Sequence, residues 1–226
     1  MITHDDNSLT PLLDLKRISF SYDAKIVLNN VDFCLNDNER IGVVGATGCG
    51  KSTFLLLIMG LIKPDKGVIS IFGNKMNTEK EFSQIRTRIG FLFQNADDQL
   101  FLPTVIEDIA FGPLNQGKSV EEAEAISIKL LEKLNIMYLK GRVTHKLSGG
   151  EKKLVALATI LAMEPEFLLL DEPVTGLDPL TKNKITDLLK NMEIPMVVIS
   201  HDWEFLDQVT GSTLVFENGL LQEKII

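Results

Sequence analysis

The chain is predicted to be an α/β protein built around a parallel sheet. Short, continuous apolar runs recur along it, the pattern of strands covered on both faces. Helical patterns stand between them. One strand-like run feeds a glycine-rich loop and then a helix, and another ends in two adjacent acids, which is how such a sheet presents a site at its edge. With 226 residues, 45% hydrophobic and 24% charged, the composition is globular, and the length suffices to bury a full core without covalent staples.

Strands are expected at 15–20, 41–44, 68–72, 89–93, 167–170, 196–199 and 213–216. From Thr104 to Met163 the pattern is almost wholly helical. Ser119 and Glu122 have capping-box spacing, in which a hydroxyl and a carboxylate satisfy the free amides of a helix start. Val120, Ala123, Leu130, Leu131 and Leu134 then make an apolar stripe. This stretch is expected to form a helical lobe inserted between two core strands. Asn218-Gly219, between two short apolar runs, predicts a hairpin. No low-complexity linker or internal repeat divides the sequence. A single domain is expected over 1–226, with a core near 1–95 and 164–226 and a helical part near 96–163, and no added C-terminal domain.

Gly45-Ala46-Thr47-Gly48-Cys49-Gly50-Lys51-Ser52-Thr53 fits the pattern of a phosphate-binding loop, with a buried strand before it and a helix after it. The glycines let the backbone curl so that its N–H groups face phosphate oxygens. The following helix presents the positive end of its dipole to the same anion. Lys51 is expected to reach the β- and γ-phosphates, Ser52 to ligate Mg²⁺, and Thr53 to touch the α-phosphate.

The run Phe167-Leu168-Leu169-Leu170 ends in Asp171-Glu172-Pro173. An Asp closing a buried strand suits the partner site of such a loop, where it holds Mg²⁺ through water. Glu172, one residue beyond, is placed to orient and deprotonate an attacking water.

Other classes are disfavoured. Cys34 and Cys49 show no metal or disulfide spacing. His4 and His145 show no zinc-ligand spacing with His201. A net charge of -8 argues against a broad nucleic-acid surface, so no nucleic-acid partner is expected. The start, Met1-Ile2-Thr3-His4-Asp5-Asp6, is polar and acidic and does not read as a secretory leader. The greasiest run, 54–62, is about half the length of a membrane span.

Leu147-Ser148-Gly149-Gly150-Glu151, upstream of the Asp-Glu strand, resembles the signature sequence of ATP-binding cassette (ABC) ATPases. The family's other motifs follow in order over nearly the whole chain. Tyr22 resembles the aromatic that stacks on adenine, and Gln94 the glutamine that closes on Mg²⁺ and the γ-phosphate. Gly176-Leu177-Asp178 resembles the D-loop, and His201 the switch histidine that contacts the γ-phosphate. The resemblance implies a P-loop NTPase of the ABC fold: a RecA-like core, an N-terminal antiparallel β subdomain and an inserted helical subdomain. It implies ATP and Mg²⁺ as ligands, and a second ATP-binding subunit, with a homodimer expected. Each signature would complete the other subunit's nucleotide site, a pairing that closes as a twofold dimer. Two positions depart from the family pattern. Val174 stands where the family has Thr or Ser, and Cys49 where it often has Ser, which suggests a thiol activated by the helix terminus and Lys51.

The segment 93–113 is similar to ATPases of energy-coupling factor importers, which carry cobalt or nickel ions or vitamins such as biotin. In that group it lines the groove where integral membrane subunits dock, and Asp97 and Asp98 would suit arginines there. The resemblance implies a peripheral subunit on the cytoplasmic face of the membrane. A soluble ABC ATPase acting on ribosomes or DNA is the alternative, and a nucleotide-binding regulatory module without turnover is a third. Glu172 and His201 weigh against the third.

Overall fold

The computed structural model describes residues 10–223. The Met1–Asp6 opening, read above as lacking a leader, lies outside the described residues. The strands are β1 (Leu13–Tyr22), β2 (Lys25–Leu35), β3 (Arg40–Val44), β4 (Lys66–Ile71), β5 (Asn74–Met76), β6 (Ile89–Leu92), β7 (Phe167–Asp171), β8 (Met196–Ile199), β9 (Ser212–Glu217) and β10 (Leu220–Glu223). The helices are α1 (Lys51–Ile58), α2 (Glu79–Ile85), α3 (Val105–Asn115), α4 (Val120–Lys133), α5 (Gly149–Leu161), α6 (Pro179–Lys190) and α7 (Trp203–Val209).

Two sheets result. One has six strands in the order β10-β9-β3-β8-β7-β6. Its neighbours pair in parallel except for the β9–β10 hairpin, which turns at Asn218 and Gly219, both with positive φ. The other is antiparallel, in the order β2-β1-β4-β5. The predicted strands at 15–20 and 68–72 therefore belong to this second sheet and not to the parallel one.

The continuous apolar runs are explained by two cores. Along β7, Phe167 and Leu169 face one core while Leu168 and Leu170 face the other. Along β8, Val197 and Ile199 oppose Met196 and Val198 in the same way. A strand greasy on both faces must be covered twice. The first core is closed by α1 and the antiparallel sheet, and the second by α5, α6 and α7.

Two strands were not foreseen. β2 alternates, but its register against β1 shifts more than once, and Arg17 and Asn30 take positive φ at these irregularities. Such bulges break the two-residue period that reveals a strand. β5 has three residues and offers almost no pattern.

Between β6 and β7 the chain is helical, as expected. Ser119 and Glu122 close a reciprocal capping box on α4. The apolar stripe is corrected at its start: Val120 is 67% exposed, whereas Ala123, Leu131 and Leu134 are buried. Val120 is the first residue of α4.

Candidate functional site

The site lies at the carboxyl ends of β3, β6, β7 and β8, where the strands hand over to loops. Leaving β3, the chain makes the loop 45–50 and enters α1. Gly45 presses against the strand β9: a Cβ there would stand 2.5 Å from the Phe216 carbonyl oxygen and 2.8 Å from Cys49 Sγ. Gly50 adopts φ 120°, and a Cβ on it would lie 2.6 Å from Val27 Cγ1. Only glycine satisfies both demands, and the loop is left as bare backbone. The first amides of α1 have no partner within the helix and lie at the positive end of its dipole.

Lys51 Nζ donates to the carbonyls of Gly45 at 2.8 Å and Ala46 at 3.0 Å, and stands 3.9 Å from Cys49 Sγ. Its charge is thus centred on the loop. A cleft of about 220 Å³ opens here. It gathers Thr47, Gly48, Gly50, Lys51, Ser52 and Thr53 from the loop and helix, Gln94 after β6, Asp171 at the end of β7 and Glu172 just beyond it. Tyr22 stands at its rim, half-exposed, with its ring edge-on to Phe20. Lys25 and Val27 of β2 also line it, and nothing in the sequence pattern marked them.

Asp171 is 4% exposed. Burial raises its pKa and the nearby Glu172 adds to the rise, while a hydrogen bond from Ser52 and the charges of Lys153 and Lys51 oppose it. A buried carboxylate with a hydroxyl and a side-chain amide beside it is a set of hard oxygen donors. The residues present therefore fit Mg²⁺ bound with a nucleotide, and the bare loop fits the phosphates.

Glu172 is buried and sits at φ 47°, in the left-handed region. Thr175 Oγ1 donates to its Oε2 at 2.6 Å, and Ser200 Oγ lies 3.4 Å away. His201 reaches the same carboxylate through Nδ1. Val174 is buried in the core, while its neighbour Thr175 donates to Glu172.

Lys153, which the sequence did not single out, is 4% exposed on α5. Its Nζ donates to the Gln94 carbonyl at 2.6 Å and to the Phe93 carbonyl at 3.2 Å. Burial pushes its pKa down to about 8, against the pull of Asp171 and Glu172. The neighbouring Lys152–Asp97 ion pair is open to solvent on the Asp97 side. Such surface pairs contribute about 0–1 kcal/mol, so the buried Lys153 contact is the stronger tie between α5 and the 93–99 segment.

The remaining predicted residues do not enter this cleft. Ser148 caps α5 in a reciprocal box with Glu151, and Gly149 and Gly150 form the bare first turn. A Cβ on Gly150 would meet Thr181 Cγ2 at 3.1 Å. Asp178 caps α6 by accepting from the amides of Leu180 and Thr181, and a hydrogen bond from the Thr181 hydroxyl leads the causes that hold its pKa down. The serine-glycine tip and the Asp178 turn thus meet each other, away from the cradle of their own chain.

The family model for the ABC transporter matches residues 28–175, from β2 through the loop, the serine-glycine tip and the paired acids. A provisionally named ABC transporter ATP-binding protein of Brucella suis is 47% identical over 94% of this chain and 89% of its own length. The energy-coupling factor transporter ATP-binding protein EcfA of Methanothermobacter thermautotrophicus is 42% identical over 93% of this chain and 69% of its own. Among solved structures, cbiO1 of Clostridium perfringens, part of the ABC transporter complex cbiONQ, superposes with a TM-score of 0.83 at 31% identity, covering 94% of this chain and 87% of that one. The cassette MJ0796, a dimer in a post-hydrolysis state bound to ADP and Pi, gives 0.85 at 27% identity, covering 93% and 97%. The chain belongs to the ABC transporter family, as an ATP-hydrolysing subunit of a transporter.

Proposed function

We propose that this chain energises an importer of the energy-coupling factor type, working as a dimer on the cytoplasmic face of a membrane and carrying cobalt or nickel ions or a vitamin such as biotin. The observation that carries this reading is the surface beside Gln94. Asn95 caps a short 3-10 turn holding Asp97 and Asp98, and both acids are exposed. Next to it Phe101, 64% exposed, and Phe111, 40% exposed, stand edge-on with centroids 4.9 Å apart. Two aromatic rings and an outward carboxylate suit a partner helix with apolar and basic side chains. The likeness to EcfA and to cbiO1 supports the same reading. No helix of the described residues is long and apolar enough to cross a membrane, so the pathway itself belongs to other subunits.

In this reading Tyr22 stacks on adenine. Lys51 leaves the Gly45 and Ala46 carbonyls for the β- and γ-phosphates, joined by the amides of 45–50 and by Thr53. Ser52, Gln94 and Asp171 hold Mg²⁺, which when bound neutralises charge on the phosphate oxygens. Glu172 takes a proton from the attacking water as its oxygen bonds to the γ-phosphorus and the bond to ADP breaks. His201 holds Glu172 and contacts the γ-phosphate. Ser148, Gly149, Gly150 and Asp178 act in the facing subunit's site. The test is to purify the tagged chain from membranes and identify what accompanies it. Integral membrane subunits that stimulate its ATPase support the reading, and ribosomes or DNA in their place overturn it.

A further inference from the structure

The segment that leaves the cleft at Gln94 is held to α5 at three points. Lys153 Nζ binds the Phe93 and Gln94 carbonyls. Gln99 Nε2 donates to the Ala156 carbonyl at 2.8 Å and to Thr159 Oγ1 at 2.9 Å, while its Oε1 accepts from the Phe93 amide. Lys152 pairs with Asp97. Of these side chains only Lys153 is both buried and charged, and its ammonium ends on the backbone of Gln94, a residue that lines the cleft. The Gln94 side chain itself is exposed. Its backbone, from which that side chain starts, is anchored by Lys153.

We propose that Lys153 is a positioning residue for ATP turnover: from inside the helix that begins at Ser148, its ammonium fixes the Gln94 backbone and so aims the Gln94 amide into the cleft. The helix whose tip serves the facing subunit is thereby joined to a ligand of its own subunit's site. A shift of α5 as two subunits close moves Gln94 with it. The proposal rests on the reading of Gln94 as a contact for nucleotide-bound Mg²⁺.

The experiment compares wild type, Lys153→Met, Gln94→Ala and the double variant. Lys153→Met is expected to lower kcat by about tenfold to a hundredfold, the loss that a misplaced group produces. Calorimetric titration with ATP is the second readout. Affinity without Mg²⁺ is expected to stay the same, while the gain on adding Mg²⁺ shrinks by about tenfold, as when the support of a metal ligand is removed. On the Gln94→Ala background, Lys153→Met is expected to cost nothing further, because the two act as one unit. Losses that multiply in the double variant overturn the proposal alone. A Gln94→Ala enzyme at full rate overturns the reading of Gln94 and the proposal with it. Should Lys153→Met not fold, Lys153→Leu, which also lacks a donor, takes its place in every titration. Failure of both to fold makes Lys153 a packing residue and ends the proposal.

Discussion

His201 Nδ1 lies 3.0 Å from one carboxylate oxygen of Glu172 and 3.1 Å from the other, so the imidazole straddles the acid. The ring is otherwise outward-facing, with 66% of its side chain exposed against 10% for Glu172. A proton on Nδ1 makes the ring the donor to the Glu172 carboxylate. Thr175 donates to the same carboxylate from the other side of the turn. Glu172 is thus held by side chains on both flanks before any substrate arrives.

Glu172→Gln keeps the size of the side chain and an oxygen that accepts these bonds, but removes the base. Turnover is expected to fall by about 10²–10⁴-fold, the contribution of a positioned base. ATP binding is expected to persist, and with ATP present the variant should elute as a dimer on sizing. Steady-state turnover equal to wild type would take the base role away from Glu172.

The serine-glycine tip packs on Thr181 and leaves the cradle of its own chain open. Turnover should therefore depend on pairing, with specific activity dropping on dilution below the dimer dissociation constant. Activity per subunit is to be followed over a dilution series, with oligomeric state measured in parallel. A monomer working at full rate would end the shared-site reading.

Cys49 Sγ sits under the loop, 2.8 Å from where a Gly45 Cβ would be, and beside Lys51. A maleimide bound there adds bulk to the loop that forms the phosphate cradle. Modification is expected to abolish ATPase activity in wild type, and Cys49→Ser is expected to resist it. The exposed Cys34 is present in both and serves as the internal control. Equal loss in the two proteins would assign the effect to Cys34 or to unspecific damage.

Asp108 is 3% exposed on α3. Its Oδ1 accepts from the amides of Phe101 at 3.2 Å and Leu102 at 3.1 Å, and its Oδ2 has no partner. Burial raises its pKa above 3.8, opposed by those two amides, with Glu107 adding to the rise. The stability this acid contributes is therefore full below that value and is lost as pH climbs through the raised one. Asp108→Asn keeps the acceptor but does not titrate. Its stability relative to wild type, from urea unfolding at a series of pH values, should increase above pH 4 or so and then level off. A difference that is flat or falls with pH would refute the buried-charge explanation.

Much of the site was legible because local physics dictates it. Gly45 and Gly50 must be glycines, for want of space and by virtue of φ, and a loop so constrained announces itself in any sequence. A strand buried on both faces and ending in acids is equally plain, as Asp171 and Glu172 show. The capping boxes of α4 and α5 read directly from Ser119 and Ser148, because their partners lie three residues away. Lys153 escaped notice for the opposite reason. On the sequence it is one lysine in a helix, and its value comes from the carbonyls of residues 93 and 94, far off along the chain. Lys25 and Val27 were missed likewise, since the bulges in β1 and β2 hid the strand that carries them.

The chain's order of residues by itself determined the α/β class, the cradle, the acids at the end of β7 and the kinship with ABC ATPases, all of which depend on contacts within a few residues or on the bare chemistry of a motif. Only the tertiary structure decided that Thr175 donates to Glu172, that Asp97 is engaged by Lys152, and that Lys153 binds the Gln94 backbone. The last two are meetings between segments distant in sequence, and their energy depends on burial and on donor–acceptor geometry, which exist only once the chain has folded.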